Sequence, residues 1–155
     1  MQGMSPIVKN ITRVVAGFIV LFGAYIVLYG HVTPGGGFTG GVILAGGLAL
    51  VVLAFGEEFA RKVLTHEVAK TADSMGALLF LLVAVLGFAG GVFFTNFLPT
   101  GTVGSLVSAG TIPIANLGIG IKVGAGLFGV FLALAAFRRT TAGGKKEVDV
   151  LQSDI

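Results

Sequence analysis

The sequence contains no cysteine, which excludes disulfides, thiolate chemistry and Cys-ligated metals or iron–sulfur clusters. Charge is scarce as well: 11% of the 155 residues are charged, against about 25% in soluble domains. What remains is apolar, with 55% hydrophobic residues and a mean hydropathy of +1.00. A soluble fold of this size could not cover so much apolar surface, whereas a bilayer could, so the chain reads as an integral membrane protein. The formal net charge of +3 does not indicate nucleic acid. The basic residues flank apolar segments and form no patch with interleaved aromatics.

Four apolar segments are long enough to cross a hydrocarbon core of about 30 Å. They run from about Pro6 to Tyr29, Phe38 to Phe55, Met75 to Leu98 and Ile114 to Phe137, leaving 138–155 as a polar tail. Ser5 is placed to cap the first, with Pro6 at its first helical position; Asp73 and Ser74 are possible caps for the third. The expected fold is therefore all-α, with four transmembrane helices in a membrane domain of residues 1–137. Nine of the ten basic residues (Lys9, Arg13, Arg61, Lys62, Lys70, Arg138, Arg139, Lys145 and Lys146) alternate onto one side, and the opposite loops 30–37 and 99–113 have none. The positive-inside rule then places both termini in the cytoplasm of a multi-pass protein. The first span is not expected to be a signal peptide, because its apolar run is long and no A-x-A-like site follows Tyr29. Tyr25, Tyr29, Phe93, Phe94 and Phe97 fall near the ends of their spans, as interfacial anchors or as lipid-facing or core aromatics.

The stretch from Tyr29 to Gly41, YGHVTPGGGFTGG, contains a literal G-x-G-x-x-G from Gly35 to Gly40. A dinucleotide site needs a preceding strand and a βαβ unit. Here the glycines follow a transmembrane helix and no GK[ST] is present, so neither that fingerprint nor a P-loop is expected. The alternative is structural. Pro34 is expected to end the first helix, and Gly35, Gly36 and Gly37 to turn the chain. Gly36 with Gly40, and Gly37 with Gly41, are small-xxx-small pairs that let helix backbones approach closely in lipid. The pattern repeats at Gly87 with Gly91, Gly120 with Gly124 and Ala125 with Gly129. It suits packing of the helices on each other and on partners, or a self-contained four-helix bundle.

Lys122 stands inside the fourth span, about 12 Å from its start at 1.5 Å per residue. A lysine near a helix centre costs about 2.5–3.5 kcal/mol on insertion scales. It reads as a proton-relay or ion-path element, or as a snorkelling or structurally bonded side chain. His31, just beyond the first span, is a possible proton shuttle or a structural hydrogen-bonding residue. No Asp or Glu falls within the four spans as drawn, so the chain lacks the acidic partner a carboxylate-based pump would use. The segment EEFARKVLTHEVAKTADS, with i,i+4 pairs Glu57–Arg61 and Glu58–Lys62, reads as a short amphipathic linker helix. His66-Glu67 fails as a zinc motif because position 70 is Lys. The uncharged loop from Pro99 to Pro113 is apolar enough to lie against the membrane or another subunit.

The stretch YGHVTPGGGFTGGVILAG resembles the signature of the MnhB/MrpB family, a small subunit of multisubunit cation/proton antiporters. The segment IPIANLGIGIKVGAGLFG, from Ile112 to Gly129, is similar to the family's other marked stretch. His31, Pro34, Gly35, Gly36, Gly37, Phe38, Gly40, Gly41, Asn116 and Lys122 match that pattern. The resemblance implies a non-catalytic subunit without a cofactor or metal, packed through its glycines, with Lys122 and His31 as ion-path candidates. The implied partners are the lipid bilayer, other antiporter-module subunits and a complex I-like ion-translocating subunit. Related modules occur in archaeal membrane-bound hydrogenases and sulfur reductases, so the same subunit could serve a redox-driven respiratory complex. A free-standing homo-oligomeric channel would instead show transport from this chain alone.

Overall fold

The structure, a computed structural model, describes residues 4–56, 66–106 and 108–153, apart from the side chains of 66, 136 and 138–153. Four long helices account for most of it: α1 (Pro6–Leu28), α2 (Gly36–Phe55), α3 (His66–Leu86) and α4 (Ile112–Ser153). Each contains a stretch long and apolar enough to cross a membrane: Pro6–Leu28, Gly36–Phe55, Glu67–Gly90 and Ile112–Ala135. The linker pairs expected at Glu57–Arg61 and Glu58–Lys62 lie outside the described residues.

The first two helices form an antiparallel hairpin. Ser5 caps α1 by accepting from Val8 N–H at 3.5 Å, with Pro6 at the first helical position. At the hairpin's open end, Met4 N–H donates to Ala54 O at 2.9 Å and the Arg13 guanidinium lies 5.6 Å from the Phe55 ring centroid. Pro34 does not end α1, contrary to the expectation. The helix stops at Leu28, where Gly30 follows and a Cβ would lie 2.6 Å from Gly36 Cα. The turn is held by Tyr29 O, which accepts from Val32 and Thr33 N–H and from Thr33 Oγ1. Gly35 and Gly36 then take φ of 105° and 59°, a region open to glycine at no steric cost, and α2 begins two residues earlier than expected.

The third helix differs most from the sequence reading. It runs from His66 to Leu86 and is followed by a 3-10 turn at Gly87–Gly90. Asp73 and Ser74 are therefore interior residues and not caps. The run EVAKTADS contains no Pro or Gly to stop a helix coming from the polar side, whereas Gly87, Gly90 and Gly91 stop it on the other. Gly91 has φ 118°, and the chain doubles back so that Phe94 N–H donates to Ala84 O at 3.2 Å. Phe93 and Phe94 thus lie beyond the helix; Phe94 packs against Phe80 and Phe93 against Phe88.

The segment 91–111 leads into α4 and is fastened by Asn96. Its Oδ1 accepts from Thr111 N–H at 3.0 Å, and its Nδ2 donates to Ala109 O at 3.5 Å. Helix α4 then continues to Ser153, so 138–153 extend a helix where a tail was expected.

The helices form an open row. Helix α1 packs along α2, α2 along α4 and α4 along α3, with a smaller contact between α1 and α4. Phe128 of α4 fills a small core with Ala45 and Val52 of α2. Burial does not exceed 33% of any candidate span, so this is a thin layer of helices and not a closed bundle.

Candidate functional site

Glycine sets the spacing of the row. Along α2, Gly40 faces α1, where a Cβ would lie 2.9 Å from Gly23 O. Gly37 and Gly41 face α4: Cβ atoms there would overlap the carbonyl of Asn116 and lie 2.8 Å from Gly120 O. Gly120 and Gly124 supply the matching surface of α4, with Val27 of α1 also against Gly120. Backbone-to-backbone approach of this kind is how helices associate in lipid. Other anticipated pairs do not pack in this way. Gly91 and Gly129 have nothing within 4 Å of a built Cβ, since Gly91 sits in the turn after α3 and Gly129 on an open face of α4. Two glycines not singled out from the sequence, Gly76 and Gly118, form the α3–α4 contact. A Cβ on Gly76 would lie 2.6 Å from Lys122 N and 2.7 Å from Gly118 O.

That contact places the one charged side chain of residues 112–137. Lys122 lies ten residues into α4, about 15 Å from its start. Its Nζ donates to Asp73 Oδ1 of α3 at 2.9 Å. The acidic partner expected to be missing is therefore present inside the third candidate span. It went unread because that helix starts earlier than its hydropathy suggests. The carboxylate rests on Gly126, one turn beyond Lys122, where a Cβ would lie 3.1 Å from Asp73 Oδ1. Both side chains keep an outward edge, at 48% exposure for Lys122 and 36% for Asp73. An ammonium and a carboxylate at this distance make a charge-assisted hydrogen bond.

His31 is not part of this pair. It sits in the α1–α2 turn, stacked near Tyr29, and its Nε2 donates to Ser105 O at 3.0 Å, tying that turn to the 91–111 segment. A carbonyl only accepts, so Nε2 carries the proton and Nδ1 is left buried without a partner among the described residues. Asn116 lies beneath the same turn. Its Oδ1 accepts from Gly37 N–H at 3.4 Å, while its Nδ2 is buried without a described partner. Pro34 and Phe38 are exposed at the rim of this turn. The glycine loop and Asn116 thus form one cluster, and Asp73 with Lys122 another on the opposite side of α4. Among the described residues no group of three or more His, Cys, Asp or Glu side chains could hold a metal ion.

Residues 7–129 match the family model described as a domain related to the MnhB subunit of Na+/H+ antiporter. The chain belongs to the MnhB family. It is 36% identical to a Na(+)/H(+) antiporter subunit of Bacillus subtilis over 88 residues, 57% of this chain and 61% of that one. It is 30% identical to an antiporter subunit mnhB2 of Staphylococcus aureus, covering 89% of this chain and 99% of the relative. An uncharacterized protein of Methanocaldococcus jannaschii is 36% identical over 130 residues, 79% of this chain, which spans about half (49%) of that relative's length. Among solved structures, a chain of the membrane-bound sulfane sulfur reductase, an archaeal respiratory membrane complex, matches with a TM-score of 0.69 and 32% identity. That match covers 83% of this chain and 59% of the other. The MnhB assignment agrees with the motifs read from the glycine loop and from Ile112 to Gly129. Named relatives of the family are antiporter subunits, transport proteins rather than enzymes.

Proposed function

We propose that this chain is a small, non-catalytic membrane subunit of a multisubunit sodium/proton antiport module. The observation that carries the reading is the MnhB match over residues 7–129. The subunit packs against its neighbours through the uncovered faces of its helix row, and Lys122 and His31 lie on or beside a path for protons or sodium. Its partners are the other antiporter-module subunits and a complex I-like ion-translocating subunit. Both termini lie in the cytoplasm of a prokaryote, on the side where the Lys and Arg residues collect.

A second setting is favoured by the likeness to a chain of the sulfane sulfur reductase complex. In it the same subunit serves the ion-pumping arm of a redox-driven enzyme, and the catalytic chemistry stays with other chains. Purification of the native complex in mild detergent, followed by mass spectrometry of its chains, separates the two. Antiporter subunits alone support the stand-alone exchanger. Iron–sulfur and hydrogenase- or sulfur-reductase-like chains support the respiratory arm. Recovery of this chain by itself, with cation transport in liposomes, overturns both in favour of a homo-oligomeric channel.

A further inference from the structure

Asp73 and Lys122 deepen the ion-path reading, on which this inference rests, by supplying its acidic half. We propose that the two side chains form a proton-relay pair within the membrane. The Lys122 ammonium hands a proton to the Asp73 carboxylate across their hydrogen bond, and each residue exchanges protons with the surroundings at its outward edge.

Three features carry the proposal. The first is the geometry: Nζ and Oδ1 are 2.9 Å apart, with the donor directed at the acceptor. The second is how the pair is held. Gly76 and Gly118 bring the α3 and α4 backbones into contact beside it, and Gly126 leaves the space in which the carboxylate rests. The third is access. Both groups stay partly exposed on the α3–α4 face, although they lie inside helices that otherwise present apolar side chains there.

Among the described residues, Lys70 lies three positions before Asp73 on the same helix. Glu67 and Lys70, earlier on α3, pair with each other at 3.8 Å. Helix α4 carries no second charged side chain between Ile112 and Phe137, and α2 carries none between Gly36 and Phe55.

The step balances within the pair. One N–H bond of Lys122 breaks and one O–H bond of Asp73 forms, so the ion pair becomes a neutral amine and a neutral carboxylic acid. Asp73 then releases its proton to water or to a base of the adjoining subunit. Lys122 takes up the next proton from its own side, and the ion pair is restored. One proton has passed from the Lys122 edge of the pair to its Asp73 edge, and nothing else has changed.

The test uses the complete complex, reconstituted in liposomes with proton flux followed by a pH-sensitive dye and assembly checked by native mass measurement. Lys122→Arg keeps the charge and the ion pair, but a guanidinium does not give up its proton. Asp73→Asn keeps the shape, but an amide cannot accept the proton. Each variant is expected to assemble and to lose proton flux at least tenfold. Wild-type flux in either assembled variant overturns the relay. Should both fail to assemble, the charge-exchanged variant Asp73→Lys with Lys122→Asp decides. Flux within tenfold of wild type supports the relay, and an assembled complex without flux overturns it. If that variant also fails to assemble, the pair is an assembly element and the relay is overturned. A wild-type complex that moves no protons would instead count against the antiport reading itself.

Discussion

At the scale of single residues, the chain uses the absence of a side chain as its main packing device, and the glycines are not equivalent. Gly41 and Gly46 share α2, yet a Cβ on Gly41 would lie 2.8 Å from Gly120 O, while one on Gly46 has nothing within 4 Å. Gly41→Ala must push α2 and α4 apart and is expected to destabilise by about 1–3 kcal/mol, as overpacking does. Gly46→Ala removes a weak helix former at an open site and is expected to stabilise the helix by up to about 1 kcal/mol. Thermal unfolding of the two variants in detergent, read by loss of helical circular dichroism, checks the contrast. A sequence motif cannot make this distinction. Small-xxx-small spacing singled out Gly36, Gly37, Gly40, Gly41, Gly120 and Gly124, which the structure places between or beside helices. It equally singled out Gly91 and Gly129, which touch nothing nearby, and it passed over Gly76 and Gly118, because Ala72 lay outside the third span as drawn and Gly118 has Ile114 and Lys122 four places away.

At the scale of elements, the joint between α3 and α4 is the least obvious part of the fold. Asn96 holds the entry to α4 by accepting from Thr111 N–H and donating to Ala109 O. Asn96→Ala leaves the Thr111 amide, on a residue only 6% exposed, without its partner. The loss is expected to cost about 1–3 kcal/mol, the range for an orphaned buried donor. Limited proteolysis should then cut the 91–111 segment faster than in the wild type. His31 secures the same segment from the other hairpin through Ser105 O, so His31→Ala should raise cleavage near residue 105 while leaving α1 and α2 protected. Hydropathy placed α1 and α2 within two residues at each end, because their ends coincide with changes from polar or glycine-rich to apolar sequence. It misplaced α3, because helical hydrogen bonding does not stop where polarity begins. The same shift hid Asp73, since a carboxylate drawn as a cap is not sought as a partner for a lysine on another helix.

At the scale of the whole molecule, the row of four helices separates two kinds of surface. The turn at 29–35 and the segment 91–111 lie at one end, and Lys9, Arg13 and Lys70 lie towards the other. Because the chain has no cysteine, single cysteines report orientation without background. Val103, 98% exposed, and Lys70 suit this purpose. With both termini in the cytoplasm, Val103→Cys should react with a membrane-impermeant maleimide in intact cells, and Lys70→Cys only after permeabilisation. The reverse labelling pattern would invert the topology. The membrane class and the number of helices were legible in composition and run length, since burying that much apolar surface leaves few alternatives. The open row was not, because an apolar face reads the same whether lipid or a partner covers it.

The position of α4 in that row has a consequence for how the protein is made. Helix α2 and helix α3 are each fastened to α4, the last of these four to leave the ribosome. Until α4 inserts, the α1–α2 hairpin and α3 pack little on each other among the described residues, and Asp73 lacks its Lys122 partner. Insertion of α4 therefore closes this packing and gives the carboxylate its Lys122 partner in one event. A chain broken off before Ile112 carries its own mark of incompleteness: a bare acidic group in lipid and an unoccupied glycine track along α2.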